Sequence, residues 1–311
     1  MLTSRSLIKG TYVRTSALDS LINAFLSSTT TTDSAPDRQI VSLGAGTDTR
    51  YFRLRAQGRT RRLIYHEFDF PAVCAAKCRI VESKKVLTSD EVLAPADGQG
   101  SADIQRDGTL DWELLRSREN DGNVLEAGYH CHALDLRKLP TIADLGAFQG
   151  LRSDLPTLVI SECCLCYLEV DVATQILKWF TDRIPSLGIV LYEPIGAYDA
   201  FGQMMVENLA ARGIVMPTVQ RYKTLRDQVD RLKEAGFGFG GDAAGKANAV
   251  TIEEVWDEWI EAVDKERVDG LEGLDEVEEW QMLARHYAVV WGWRGVEGWE
   301  GWRNSPHGSP R

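Results

Sequence analysis

Residues 39–50 read QIVSLGAGTDTR, and the fold is decided there. Five mostly apolar residues, Gln39 to Leu43, have the length of a short buried strand. They run straight into Gly44-Ala45-Gly46, and structure resumes after Arg50. A strand that ends in a glycine turn is where an α/β sheet receives a nucleotide-like ligand, because missing side chains let the ligand approach the backbone. The same pair of glycines also serves as a plain tight turn.

The residues around the turn narrow the ligand. A phosphate-gripping loop needs G-x-x-x-x-G-K-S/T, and no lysine follows here. The dinucleotide fingerprint needs a third glycine at the position held by Thr49. A ligand with an adenosine but no phosphate needs neither, and S-adenosylmethionine is such a ligand.

Outward from the turn, strands and helices alternate. Residues 62–68 (RLIYHEF) read as a second strand ending in Asp69, and 72–82 as a helix. Strand-like order returns at 128–136 (GYHCHALDL), 156–168 (PTLVISECCLCYL) and 188–194 (GIVLYEP), with a helix over 172–184. This alternation predicts an α/β fold, a doubly wound and mainly parallel sheet. Residues 88–123, rich in charges and turn formers, read as a surface insertion with a helix around Trp112 to Arg118. The first helix is expected over Ser16 to Leu26, where Leu18, Leu21, Ile22, Phe25 and Leu26 share one face.

Three acids close successive strands. Asp69 lies 25 positions after Gly44, about where a carboxylate accepts from both ribose hydroxyls. Asp135 could receive an adenine amino group, with Leu136 adding apolar contact. Glu162 follows an apolar run, where an unpaired carboxylate is costly to bury. It could face the ammonium or sulfonium of the ligand. Each acid alone is equally a solvated strand end or half of an ion pair.

Downstream, Asp199 is placed to cap a helix over 200–212, and 224–236 reads as a helix closed by Gly236. Residues 251–285 are acidic and helical in two pieces, broken near Gly270 and Gly273. HYAVVWGW (286–293) reads as a last strand. Seven of the nine tryptophans follow residue 250, on helical or strand faces that point to packing.

Composition excludes some functions. The chain has 311 residues, 46 acidic and 35 basic, for a net charge of −11, so no general attraction for phosphate backbones exists and nucleic acid is not the expected partner. No run of 18 apolar residues supports a membrane span. The start shows no secretory pattern. Six cysteines are too sparse for a disulfide scaffold and read as core thiols in a reducing, cytoplasmic setting. Among five histidines only His130 and His132 share a strand face, and no metal site is expected.

The stretches VSLGAGTDTRYFRL, EFDFP, ALDLRKL, ISECCLCYL, YEPIGAYDAFGQMMVENL and RYKTLRDQVDRLKEAGF together resemble the leucine carboxyl methyltransferase family. The resemblance runs from about Lys9 to Trp293 with 88–123 outside it, and FGQMMVENL is its most specific piece. It implies a class I S-adenosylmethionine-dependent methyltransferase fold with a helical lid insertion. It also implies methylation of the C-terminal leucine carboxylate of the protein phosphatase 2A catalytic subunit, whose tail is then the partner, by a monomeric enzyme. Arg14 would hold the methionine carboxylate of the donor. Gly44, Asp69, Asp135, Leu136 and Glu162 would complete the donor pocket, and Tyr167 would contact the incoming leucine carboxylate. Residues 1–311 then form one domain, with 196–285 as lid and substrate region and 304–311 as a disordered tail.

Family members begin with a further segment carrying a Ser-Lys pair that covers the donor, and Lys9 does not match that lysine. Either the transcript is cut short or the chain is a divergent member with an open site. Two rival readings stay open: a tRNA wybutosine-type carboxyl methyltransferase, and a catalytically weak relative that binds the phosphatase.

Overall fold

The computed structural model describes residues 4–27, 38–60, 62–84, 111–113, 128–237, 247–271 and 277–295. The chain divides into two compact units. One, the glycine-turn unit, comprises Asp33–Ser161 and Gln175–Leu187. The other, the arginine unit, comprises Met1–Thr32, Glu162–Thr174 and Gly188–Arg311.

The glycine-turn unit is built on β1 (Arg38–Leu43), β2 (Leu63–Asp69), β3 (Asp111–Glu113), β4 (Gly128–Ala133) and β5 (Thr157–Glu162), in spatial order β3-β4-β2-β1-β5. β1 pairs in parallel with β2 and β5, and β2 in parallel with β4. Every residue of β1 is buried, which explains a near-continuous apolar run rather than an alternating one. Helices Arg50–Ala56 and Pro71–Ser83 follow β1 and β2, the second with proline in its first turn, where no backbone donor is needed. Tyr51, Tyr65 and Tyr129 pack their rings together in the core, with centroids 4.7–6.3 Å apart.

Three differences from the sequence reading belong to this unit. Asp111–Glu113 is a strand antiparallel to β4, not the start of a helix; the rest of the insertion lies outside the described residues. The strand expected over 128–136 stops at Ala133, because Asp135 caps a 3-10 helix, Leu136–Thr141, by accepting from the Arg137 N–H. The run 156–168 stops being strand at Glu162: Cys163 takes a left-handed φ of 47°, and a 3-10 turn follows at Leu165–Tyr167.

The arginine unit contains α1 (Ser4–Ser27), which starts a dozen residues earlier than the apolar periodicity alone suggests. Val13, Ala17, Leu18, Leu21, Ile22 and Phe25 are its buried face. Strands β6 (Leu187–Pro194), β7 (Ala247–Thr251) and β8 (Tyr287–Arg294) stand in the order β6-β8-β7, with β7 antiparallel to β8. β7 lies inside the stretch read as wholly helical. The helices are Ala200–Ala210, Pro217–Arg221, Leu225–Glu234, Ala262–Leu271 and Val277–Arg285, and a wide π turn spans Val255–Trp259. The expected tail at 304–311 lies outside the described residues.

Candidate active site

In the glycine-turn unit the loop after β1 turns on Gly44 and Gly46, with φ of 62° and 51°. Those left-handed values account for both glycines. A Cβ at Gly46 would meet nothing within 4 Å, so the loop presents bare backbone on that side. Asp69, at the end of β2, fastens the turn: its Oδ2 accepts from the Gly46 N–H at 2.7 Å and its Oδ1 from the Phe70 N–H at 2.7 Å. Each oxygen keeps a lone pair for a further donor. Asp48 supports the loop from the other end, accepting from the Arg50 N–H at 2.9 Å and from its guanidinium at 2.8 Å.

Asp135 behaves differently from the simple acceptor expected of it. Its oxygens take the Arg137 guanidinium at 2.6–3.0 Å, and that hydrogen bonding holds its carboxyl below the usual range. Leu136 beside it is buried. The three buried histidines of β2 and β4, His66, His130 and His132, stack on one another, with His66 Nδ1 and His132 Nε2 3.0 Å apart. Burial holds His66 well below its normal pKa, hence neutral. Among the described residues no group of side chains could hold a metal ion.

The arginine unit holds the other expected residues. Arg14 Nε of α1 lies 2.8 Å from Glu162 Oε1, joining two residues 148 positions apart. The Arg14 guanidinium also sits 5.4 Å from the Tyr192 ring centre. Both face a cavity of about 150 Å³ whose walls include Gly10, Thr11, Cys163, Ile252, Trp280 and Tyr287. Tyr192 and Tyr287 stack with centroids 5.2 Å apart, and burial raises both hydroxyls far above the normal range, so both rings stay neutral. A guanidinium–carboxylate pair at the mouth of an apolar, aromatic cavity suits a zwitterion: the cation can grip a carboxylate and the anion an ammonium.

Tyr167, on the 3-10 turn after Glu162, is half exposed, and burial, followed by the neighbouring Cys166, pushes its hydroxyl up to about 12. It is therefore a neutral O–H donor at physiological pH. The FGQMM stretch owes its glycine to packing: a Cβ on Gly202 would fall 2.0 Å from the Gly196 carbonyl oxygen. Asp199 caps that helix through the Gly202 N–H at 2.8 Å and meets His286 Nε2 at 2.9 Å. The helix exposes Met204, and Tyr198 before it and Val215 beyond it are exposed too.

The sequence reading missed Tyr192, Trp280 and Tyr287 as cavity walls. Tyr192 had a signal, since it sits where an apolar strand ends in Glu-Pro. The other two had none, because their place depends on a helix and a strand some 270 residues from Arg14.

Comparison with known proteins adds three findings. The family model described as leucine carboxyl methyltransferase matches residues 2–181. Leucine carboxyl methyltransferase 1 of Emericella nidulans is 40% identical over 316 residues, covering 94% of this chain and 76% of that protein. Human tRNA wybutosine-synthesizing protein 4 is 30% identical over 288 residues, covering 92% of this chain and 38% of that protein. Among solved structures, the plantazolicin methyltransferase BamL, crystallised with a triazolic desmethylPZN analog and SAH, superposes with a TM-score of 0.51 at 8% identity, over 92% of this chain and 86% of that one. At that identity the likeness speaks for the fold alone: the class I methyltransferase type.

Proposed function

From the premise that this chain belongs to the leucine carboxyl methyltransferase family, we propose that it methylates the C-terminal leucine α-carboxylate of the protein phosphatase 2A catalytic subunit, with S-adenosylmethionine as donor. The observation that carries the reading is the Arg14–Glu162 pair on the aromatic cavity, because the donor's amino-acid end is a zwitterion. In this reading Arg14 binds the donor carboxylate and Glu162 its ammonium. Asp69 receives the ribose hydroxyls, the bare backbone at Gly44 lies under the nucleoside, and Asp135 with Leu136 holds the adenine. The bound donor supplies a methyl group on a positively charged sulfur.

The acceptor demands little acid–base chemistry. A C-terminal α-carboxyl has a pKa of roughly 3.3–3.7 and is already an anion at neutral pH. The chain therefore needs no general base; its work is to hold the acceptor oxygen in line with the sulfur–methyl bond. Alignment of that kind contributes about 7–11 kcal/mol in favourable cases. Tyr167 donates its hydroxyl proton to the acceptor carboxylate and so orients it. The enzyme works as a monomer in the cytoplasm. Among the described residues no helix is long and apolar enough to cross a membrane.

Transfer of labelled methyl from S-adenosylmethionine to the intact phosphatase subunit, as a base-labile ester, is the direct test. Deleting the terminal leucine is expected to remove all incorporation, and labelling that persists on the shortened subunit rejects the reading. Tyr167→Phe is expected to lower kcat/KM for the phosphatase about tenfold while leaving S-adenosylhomocysteine affinity unchanged, since one hydrogen bond to a charged group is lost. An unaltered kcat/KM removes Tyr167 from the site.

A second reading has one observation in its favour, the 30% identity to the human wybutosine-synthesizing protein over 92% of this chain. Its arm of the assay is tRNA from cells blocked in wybutosine synthesis. Methyl incorporation there, with none on the phosphatase, selects it.

A further inference from the structure

Lys9 is the most deeply buried lysine of the described residues, at 5% exposure, and its ammonium has an unusual seat. Nζ lies 3.7 Å from the Trp256 ring centre and 4.4 Å from that of Trp280. The two indoles meet edge to face, 5.7 Å apart at 68°. Asp269, on the exposed side, accepts from Nζ at 2.9 Å. A desolvated cation against two indoles and a carboxylate is held far more firmly than a surface ion pair. Lys265, the other cation near Trp256, is 5.9 Å from the ring and gives its proton to the Asp257 carbonyl, so it does not duplicate the seat.

Two features tie this seat to the cavity. Trp280 is shared: one indole forms a wall of the Arg14 cavity and part of the Lys9 cage. Lys9 is also followed directly by Gly10, whose side facing a would-be Cβ is open. Glycine inside a helix costs about 1 kcal/mol relative to alanine, so α1 is weak just where Gly10, Thr11 and Arg14 line the cavity. Lys9 fastens the helix one residue before that weak point.

We propose that Lys9, clamped between Trp256 and Trp280 and tied to Asp269, is a positioning residue that sets α1 so that Arg14 meets the amino-acid carboxylate of the methyl donor. This rests on the reading of Arg14 given above. Lys9 touches no donor atom itself; it acts through α1 and the shared Trp280 wall. Its loss should therefore weaken binding of the donor's amino-acid end and spare the nucleoside end.

Calorimetric titration of the full chain with two ligands separates these ends. S-adenosylhomocysteine carries the carboxylate, whereas 5′-methylthioadenosine has the nucleoside and sulfur without it. Lys9→Met is expected to weaken S-adenosylhomocysteine about tenfold and 5′-methylthioadenosine by less than about twofold. Lys9→Arg, which keeps the cation on the indoles, should restore S-adenosylhomocysteine to within about threefold of wild type. Equal loss for both ligands, or loss for neither, overturns the proposal. Asp269→Asn, on an exposed surface, gives the same selective weakening of about threefold if the methionine variant does not fold; a uniform or absent effect counts against the proposal. Arg14→Ala distinguishes the two levels. If it leaves S-adenosylhomocysteine affinity intact, the donor-site reading falls and the Lys9 role with it; if it weakens binding while Lys9→Met does not, only the Lys9 role falls.

Discussion

Asp69→Ala is expected to weaken S-adenosylhomocysteine binding by at least about 100-fold while leaving the circular dichroism spectrum unchanged. The carboxylate has two tasks. It accepts from the Gly46 and Phe70 N–H groups at 2.7 Å each, holding the turn in the shape its left-handed glycines allow. In the proposed site it also accepts from two ribose hydroxyls. Hydrogen bonds to a charged group contribute about 1.5–3 kcal/mol each, so losing the pair to ribose accounts for a factor of 100 or more. Asp69 ends its strand and is only half-buried, so the sheet keeps its own bonds and the fold survives. Asp69→Asn retains one acceptor oxygen without charge and should fall between, at about tenfold. Unchanged affinity in the alanine variant, measured by calorimetry, would show that the nucleoside does not lie on this turn.

Arg231→Met is expected to destabilise the chain by about 3–5 kcal/mol in urea denaturation. Glu193 is completely buried at the end of β6, and Arg231 of the Leu225–Glu234 helix is 2% exposed. Arg231 Nη1 lies 3.4 Å from Glu193 Oε2, the Thr218 hydroxyl donates to the same oxygen at 3.4 Å, and the guanidinium packs 4.8 Å from the Tyr222 ring centre. Burial already raises the Glu193 pKa, and Arg231 opposes that rise. Without the arginine the carboxyl must stay protonated to remain inside. Its folded pKa then exceeds the unfolded value, so the folded state binds the extra proton and stability falls as pH rises above the ordinary carboxylate range. The variant should be most deficient at neutral pH and closest to wild type in acid. Replacing Glu193 with leucine as well removes the stranded carboxyl, and the double variant should recover most of the loss. A deficit that does not depend on pH would show that Arg231 contributes packing rather than charge.

The parts of the site that are local in sequence were legible there. An apolar run ending in two glycines leaves β1 and its turn few alternatives, and acids that abruptly close apolar runs mark the ends of β2 and β5 at Asp69 and Glu162. Asp135 was found but incompletely understood: Arg137, two residues on, occupies its oxygens, a pairing that DLR already contains. What periodicity could not reach was set by distant packing. α1 begins at Ser4 although Gly10 and its polar neighbours break the apolar pattern, because Lys9 is held by indoles some 250 and 270 residues away. β7 is half-buried at every residue, so ANAVT shows no alternation, and β3, three residues long, is too short to show any. The tryptophans do pack, as their helical spacing suggested: Trp256, Trp259, Trp280, Trp291 and Trp293 are all buried. That Trp256 and Trp280 also seat a cation is a property of the fold, not of their spacing.

The wide turn at Val255–Trp259 limits how this region can drift over generations. Residues three apart on an ordinary helix share a face, yet Trp256 reaches Trp280 while Trp259 reaches Trp291, with centroids 5.7 and 5.5 Å apart. The Ile260 N–H to Val255 carbonyl bond spans the extra residue that splays them. Deleting any one residue there would wind the backbone back to normal pitch and swing one indole off its neighbour. Single-residue gains and losses should therefore be purged from this stretch, even where the substitution of one apolar side chain for another is tolerated.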